Sequence, residues 1–197
     1  MEEKEKAFGQ FLCQNYLRDF FFEYKGYRLT HSNFQATALI EELGRKITGV
    51  LSERSACIGI CSGGVLIRDH LLSVTPPVEY IGAVDIGLHR DDFDERGTAS
   101  SKAATNIPFD IDGKEVLLID DVIESGRTVR AAINELFDYG RPASIKLITL
   151  IDRGGRQIPV HPDFNGIKLD VGVSEVIRVV DSVEQGLMVQ FSEKVNC

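Results

Sequence analysis

The sequence predicts an α/β fold in which a mostly parallel central sheet is flanked by helices. The first indication is the aliphatic run at residues 116–119, because an uninterrupted run of this kind is typical of a parallel strand buried on both faces. The second is the helical spacing of apolar residues over positions 129–137. The third is the same order of strand, small polar loop and helix over residues 56–72.

The N-terminal half is predicted to combine helices with short strands. Residues 1–28 place aromatic and aliphatic side chains along one side of a helix, which either docks on the domain or seals a contact with another subunit. A second helix is predicted to begin at Thr30 or Ser32 and to continue towards Leu51. After the strand at 56–60 and its helix, a further strand is predicted within residues 78–88.

The C-terminal half begins with a polar segment at residues 89–106 that is longer than ordinary connections. A segment of this length is usually disordered or functional. After the central strand and helix, residues 145–151 form another buried-looking strand. Residues 175–180 and 187–191 are predicted as closing strands or a small hood.

The composition favours one acidic α/β domain with an appended segment. The chain has 197 residues and a formal net charge of −8, which argues against a broad nucleic-acid surface because Lys and Arg supply most of that affinity. Its four cysteines show neither a CxxC pair nor a histidine at metal-ligand spacing, which disfavours structural zinc or a disulfide framework and favours a reducing cytoplasm. No apolar run approaches membrane-spanning length, and the start MEEKEK lacks the regions of a signal peptide.

The loop after the central strand combines an acidic pair with an anion site. Asp120 and Asp121 follow the aliphatic run, and residues 124–128 lead into the helix. Gly126 lets the backbone approach a ligand, and the helix start presents unpaired N–H groups to a phosphate. The carboxylates repel phosphate but accept hydrogen bonds from sugar hydroxyls, directly or through a hydrated metal. A ribose 5-phosphate satisfies both halves better than the alternative, a simple helix cap, which leaves two adjacent acids unexplained.

Two further loops follow predicted strands. Residues 61–64 offer backbone N–H groups to an anion or form a plain tight turn. Residues 152–156 lie at the carboxyl end of a predicted parallel strand, where an α/β sheet normally exposes a ligand site. Arg153 and neighbouring backbone amides are suited to reading a flat base by hydrogen bonds.

Several stretches resemble a known family. The sequence DDVIESGRT after an aliphatic run resembles the phosphoribosyl-pyrophosphate (PRPP) signature of the type I phosphoribosyltransferases. The stretches VDIGLHRDD, IPFDIDGKEVLLIDDV and SGRTVRAAINELFDYGRPASIKLITLIDRGGRQIPV are most similar to the PyrR family of pyrimidine-operon attenuators that are also uracil phosphoribosyltransferases. The resemblance covers residues 29–197 as a phosphoribosyltransferase domain with a small hood and leaves residues 1–28 as an N-terminal helical extension.

The resemblance assigns roles to the three loops. It implies that Asp120 and Asp121 bind the ribose hydroxyls and that the 5-phosphate is wrapped by the PRPP loop, which comprises Glu124, Ser125, Gly126, Arg127 and Thr128. It implies that pyrophosphate is held by the pyrophosphate loop, which comprises Cys61, Ser62, Gly63 and Gly64 and often carries a cis peptide, with Ser62 and Gly63 matching its place. The base loop, residues 152–156, would face the base through Asp152, Arg153 and Gly154.

The resemblance also implies the reaction and its partners. Arg90 and Lys102 would belong to a lid that closes over pyrophosphate and excludes water, with Arg90 also among the catalytic residues. The substrates would be PRPP and a nucleobase, with uracil giving UMP. Mg²⁺ would be bound with PRPP, and no separate metal ligands are assigned. A homodimer or higher homo-oligomer is expected.

Three departures from the family keep other functions open. Glu124 stands where PyrR proteins usually have tyrosine and where purine-salvage relatives keep an acid, so it is either a general base or a solvent-facing residue. Gly63 replaces a common arginine. Gly155 and His161 stand where the family tends to have basic or imidazole groups. The chain therefore has fewer of the basic residues that the family associates with RNA binding. The alternatives are an RNA-binding regulator that senses PRPP or a nucleotide, and transfer to another base such as a purine.

Overall fold

The computed structural model describes residues 33–86, 104–172, 174–182, 184 and 186–193. The predicted helix within residues 1–28 and the predicted lid cations Arg90 and Lys102 lie outside these ranges. The described residues fall into two compact units, one spanning residues 39–171 and the other formed by residues from 33–38 and 172–193. Over these described ranges, no helix combines the length and apolar character needed to cross a bilayer.

The elements alternate between strand and helix through most of the chain. In chain order they are β1 (Phe34–Gln35), α1 (Thr37–Thr48), β2 (Ser55–Ile60), α2 (Gly63–Val74), β3 (Tyr80–Val84), β4 (Glu115–Ile123), α3 (Arg127–Asp138), β5 (Ser144–Asp152), β6 (Phe164–Lys168), β7 (Glu175–Ser182) and β8 (Gly186–Glu193).

The larger unit contains a five-stranded sheet in the order β3-β2-β4-β5-β6, and every pairing in it is parallel. The register aligns Ile58 of β2 with Leu118 of β4, and Leu118 with Leu147 of β5. The predicted parallel α/β sheet is therefore confirmed. In such a sheet the carboxyl ends of neighbouring strands lie along one edge, and so do the loops that follow them.

The core of the larger unit forms because the aliphatic runs place side chains on both faces of the sheet. Every residue of β2 is buried, and the run at 116–119 is at most 1 % exposed. On one face α3 contributes Val129, Ala132 and Leu136, each 0 % exposed. Burying each aliphatic side chain of this size stabilises the fold by about 1.5–3 kcal/mol. Phe137 shares the helical spacing but is 41 % exposed, with the Arg141 guanidinium 5.4 Å from its ring centroid.

The smaller unit contains an antiparallel sheet in the order β1-β8-β7. The predicted closing strands are its two long members, and they alternate buried and less buried residues as a sheet with one covered face does. Leu187 is 2 % exposed and Val189 is 0 % exposed, and the rings of Phe34 and Phe191 lie 6.2 Å apart.

The observed elements differ from the predicted ones in several places. Helix α1 begins at Thr37, after the short strand β1, instead of at Thr30 or Ser32. Strand β3 spans Tyr80–Val84, so residues 78, 79, 85 and 86 of the predicted 78–88 segment lie outside it. Strand β6 was not predicted, because its sequence FNGIK is short and contains a glycine that weakens the strand pattern.

Candidate active site

The acidic pair lies within the last part of β4. The apolar run predicts a strand that ends before the acids, but pairing with β5 continues through Asp120, which aligns with Thr149, to Ile123, which aligns with Asp152. Asp120 is 3 % exposed, and its Oδ1 accepts a hydrogen bond of 3.0 Å from the backbone N–H of Asp121. Asp121 is half-buried. A buried carboxylate needs donors of this kind because desolvation is costly.

The PRPP loop turns sharply into α3. Gly126 has a φ of +90°, a left-handed conformation that favours glycine, and α3 begins at the next residue. The Ser125 hydroxyl accepts a hydrogen bond of 3.3 Å from the backbone N–H of Arg127. Glu124 and Arg127 are exposed, while Ser125 and Thr128 are half-buried. This loop presents the start of α3 at the edge where β4 ends, a position that suits a phosphate.

The pyrophosphate loop packs directly against the acidic pair. Its cis peptide joins Cys61 and Ser62, one bond earlier than the place expected from the family resemblance. A Cβ atom added to Gly63 would lie 2.6 Å from Oδ1 of Asp121 and closer still to Oδ2. One added to Gly64 would clash with the carbonyl oxygen of Ile119. The two glycines therefore allow the loop after β2 to approach the carboxylates at the end of β4, which brings two of the predicted loops together.

The side chains of the base loop form contacts within the loop and with the PRPP loop. Asp152 is 8 % exposed, and its Oδ1 accepts a hydrogen bond of 3.0 Å from the backbone N–H of Gly154. The side chain of Arg153 is 7 % exposed, and its guanidinium lies 3.6 Å from Oε2 of Glu124, whose side chain is 49 % exposed. The residue expected to read the base is thus paired with the residue considered as a general base. Because Glu124 is half-exposed, this pair contributes little to stability.

Arg156 was not predicted as a site residue, although it links the base loop to the PRPP loop. Its guanidinium lies 2.7 Å from Oδ1 of Asp152 and donates hydrogen bonds to the carbonyl oxygens of Glu124 at 2.8 Å and Gly154 at 3.0 Å. A second arginine three residues after Arg153, separated from it by two glycines, is the sequence signal that points to such a link.

The two cysteines among the described residues are buried, and neither takes part in a disulfide there. Burial raises the pKa of the Cys57 thiol to about 11, and the nearby positive charge of Arg68 opposes that increase. Cys61 lies in the pyrophosphate loop, where its backbone N–H donates to the carbonyl oxygen of Val84 at 2.9 Å. A thiol with a raised pKa is a poor nucleophile near neutral pH, so Cys57 is not suited to covalent chemistry.

The segment that contains the predicted lid cations is anchored at both ends. The backbone groups of Ala83 and Asn106 exchange two hydrogen bonds of 2.8 Å. Beyond that pair, the Thr105 hydroxyl accepts a hydrogen bond of 3.0 Å from the backbone N–H of Asp85 and lies 3.0 Å from Oε1 of Glu135 on α3. The chain therefore leaves β3 and returns to it at the same place.

Comparison with known proteins identifies the family. The model of the phosphoribosyl transferase domain matches residues 32–184 of this chain. The chain belongs to the phosphoribosyltransferase family. It is an enzyme of the pentosyltransferase class, which transfers the phosphoribosyl group of PRPP to a nucleobase.

Curated relatives of this phosphoribosyltransferase include PyrR proteins, so the chain is also PyrR-like. It is 43 % identical over 128 residues to the "Bifunctional protein PyrR" of Pseudomonas paraeruginosa, a match covering 65 % of this chain and 75 % of that protein. It is 41 % identical over 138 residues to the protein of the same name from Ralstonia nicotianae, covering 70 % and 79 %.

Solved phosphoribosyltransferases share the fold. A hypoxanthine-guanine phosphoribosyltransferase from Bacillus anthracis has a TM-score of 0.58 and 18 % sequence identity, covering 80 % of this chain and 93 % of that one. A hypoxanthine phosphoribosyltransferase from Staphylococcus aureus has a TM-score of 0.56 and 21 % identity, covering 80 % and 88 %. At these identities the likeness supports the type I fold and not the choice of base.

Proposed function

We propose that this phosphoribosyltransferase uses uracil as its acceptor and forms UMP and pyrophosphate. The observation that supports phosphoribosyl transfer is the close packing of the pyrophosphate loop against Asp121, because the acid proposed to bind the sugar then lies beside the loop proposed to hold the leaving group. The PyrR relatives support a pyrimidine acceptor. We further propose that the catalytic domain spans residues 29–197, that it works in the cytoplasm, and that it assembles as a homodimer or higher homo-oligomer.

The proposed reaction is a displacement at the anomeric carbon of PRPP. A nitrogen of the base forms a bond to that carbon while the bond to the pyrophosphate oxygen breaks, and the transition state has oxocarbenium character. Asp120 and Asp121 hold the ribose hydroxyls, and the PRPP loop anchors the 5-phosphate. Residues 61–64, with Arg90 and Lys102 from the lid segment, receive the pyrophosphate. The proton of the base nitrogen passes to Glu124 or to solvent.

The acidic pair fits a magnesium ion that arrives with PRPP. Mg²⁺ prefers carboxylate oxygens, keeps several waters and is often bound by one or two carboxylates together with substrate phosphates. Within residues 33–86 and the described part of 104–193, side chains that ligate metals do not gather in groups of three or more. Asp120 and Asp121 would therefore hold the ion as part of the substrate complex. When bound, the ion would neutralise charge on the departing pyrophosphate.

The base loop supports recognition of a flat acceptor. Arg153 supplies hydrogen-bond donors next to the carboxyl end of β5, and the backbone N–H of Gly154 donates to Oδ1 of Asp152, which holds the loop in place. The pairing of Arg153 with Glu124 brings a carboxylate close to the proposed base position. We propose that Glu124 either accepts the proton of the base or orients Arg153 towards it, and the two roles are distinguished by the substitutions described in the Discussion.

The test is a transfer assay with the full chain, PRPP and Mg²⁺. Uracil, hypoxanthine, guanine and adenine are offered separately, and nucleotide formation is followed by chromatography together with pyrophosphate release. Uracil is expected to give a kcat/KM at least about tenfold above any purine, which corresponds to about 1.4 kcal/mol in transition-state binding. A purine preferred over uracil would overturn the choice of acceptor and leave phosphoribosyl transfer intact.

A second candidate function is RNA-binding regulation of pyrimidine genes, which the word "Bifunctional" in the names of the PyrR relatives favours. The formal net charge of −8 opposes a broad RNA surface. A gel-shift assay with pyrimidine leader RNA at several salt concentrations, with and without UMP, tests it. Binding that weakens steeply with salt and responds to UMP supports regulation, whereas no shift at low salt contradicts it.

A further inference from the structure

The side chain of Arg156 contacts both the PRPP loop and the base loop and so joins them. It is 13 % exposed and lies 2.7 Å from Oδ1 of Asp152, which is itself buried. One terminal nitrogen donates to the carbonyl oxygens of Glu124 at 2.8 Å, Gly154 at 3.0 Å and Ile123 at 3.3 Å. The same side chain therefore contacts the first residue of the PRPP loop and two residues of the base loop.

The chain after Arg156 adds a second connection between the loops. The backbone N–H groups of Gln157 and Ile158 both donate to the carbonyl oxygen of Ser125, at 3.0 Å and 3.3 Å. Nε of Arg156 donates to the carbonyl oxygen of Val160 at 2.9 Å, which fixes the segment that carries those amides. Displacing the guanidinium would therefore also weaken the hydrogen bonds from the backbone of Gln157 and Ile158 to Ser125.

The chemistry of the contacts requires arginine. A guanidinium is planar and carries five N–H donors in a rigid fork, whereas a lysine ammonium is a compact point charge with three donors. The acceptors around Arg156 are one carboxylate and four carbonyl oxygens, at Ile123, Glu124, Gly154 and Val160. These contacts occupy Nε and both terminal nitrogens, so Arg156 binds protein groups and not a ligand.

We propose that Arg156 is a positioning residue that couples the two binding loops, so that PRPP bound at residues 124–128 also orders the base loop. The proposal rests on the assignment of those loops to PRPP and to the base under the proposed function. The binding of one substrate then prepares the site for the other. Coupling of this kind is a free-energy difference between singly and doubly bound states, and it acts equally in both directions.

Removing the guanidinium should weaken the binding of both substrates. Arg156→Gln leaves the Asp152 carboxylate and the carbonyl oxygens of Glu124 and Gly154 without their charged donor, so the two loops can shift relative to each other. Displacements of about 1 Å cost up to about 100-fold in kcat/KM. We expect the KM values for PRPP and uracil each to rise by about tenfold, while kcat changes less. Arg156→Lys should restore the interaction with Asp152 and recover only part of the loss.

The deciding measurement is hydrogen exchange followed by mass spectrometry on the full chain, with and without PRPP and Mg²⁺. In the wild type, PRPP should slow exchange in both the PRPP loop and residues 153–160. In Arg156→Gln and Arg156→Lys the protection should persist in the PRPP loop and be reduced or lost in residues 153–160. Arg45→Gln is the matched control, because Arg45 is 71 % exposed and pairs with Glu42 on the surface of α1.

The outcomes separate coupling from a purely structural role. Lower thermal stability with unchanged KM values, or PRPP-dependent protection of both segments in the two Arg156 variants, would overturn the proposal. Arg156→Lys serves this purpose even where Arg156→Gln does not fold, since it keeps the charge next to Asp152. Failure of uracil as an acceptor would refute the proposed function alone, because the exchange measurement uses PRPP and no base.

Discussion

Replacing Gly63 with alanine is expected to remove most of the transfer activity. The added Cβ would lie 2.6 Å from Oδ1 of Asp121, whereas ordinary van der Waals contact begins at 3.4 Å, so the carboxylate or the pyrophosphate loop has to move by at least 0.8 Å. Asp121 has a short side chain and its backbone is held in strand β4. Its carboxylate therefore cannot avoid the added Cβ without leaving the position that it occupies in the site. A shift approaching 1 Å predicts a loss of about 100-fold in kcat/KM, or about 2.7 kcal/mol.

The assay is steady-state release of pyrophosphate from PRPP at saturating uracil, measured per mole of folded protein. Gly49→Ala is the matched control, because its Cβ would meet only the carbonyl oxygen of Lys46 at an ordinary 3.7 Å. The melting temperatures of both variants, measured by thermal unfolding, should lie far above the assay temperature. A Gly63→Ala variant that is folded and retains wild-type turnover would show that the approach of the pyrophosphate loop to Asp121 is not needed for transfer.

The remaining predictions concern three titratable groups. Asp121→Asn should lower turnover at least about 100-fold, whereas Asp170→Asn, at an exposed aspartate outside the proposed site, should leave it unchanged; equal effects would refute the role of Asp121. Glu124→Ala should slow turnover and spare PRPP binding measured by calorimetry. Glu124→Gln, which still accepts a hydrogen bond from Arg153, should be slow only if Glu124 takes the proton, and an unchanged rate in both variants would make Glu124 a bystander. The Cys57 pKa of about 11 against an ordinary 9.0 means that the unfolded thiol ionises first as the pH rises, so the free energy of unfolding should fall between pH 9 and 11. Cys57→Ala should remove up to about 3 kcal/mol of that decrease in urea unfolding at pH 8, 10 and 11, and an identical pH dependence in both proteins would contradict the shift.

The fold could be predicted where hydrophobic pattern alone decides it. The runs at 116–119 and 145–151 are apolar enough to require burial on both sides, and they form the neighbouring strands β4 and β5. The extension of β4 through Asp120 and Asp121 could not be predicted in this way. Carboxylates normally end a buried strand, and here the backbone pairing with β5 continues in spite of them.

The site could be predicted as a set of loops but not as a set of contacts. Small residues at 61–64 and 124–128 indicated where backbone approaches a ligand, yet nothing in the pattern indicated that Gly63 lies against Asp121. The link through Arg156 was missed for a similar reason. Several of its acceptors are backbone carbonyl oxygens in two separate loops. Every residue has a backbone carbonyl group, so the sequence does not show which of them accept a hydrogen bond.

The pair of hydrogen bonds between Ala83 and Asn106 has a consequence for how this enzyme can be altered. Because these hydrogen bonds hold the described flanks of residues 87–103 next to each other, we expect a short glycine-serine bridge to span the two flanks and to leave β3 paired. Residues 87–103 would then be exchangeable as one segment. Exchanging it for the corresponding stretch of other members of the family would test the proposed role of these residues in turnover, and the melting temperature of each variant would report whether the rest of the fold is kept.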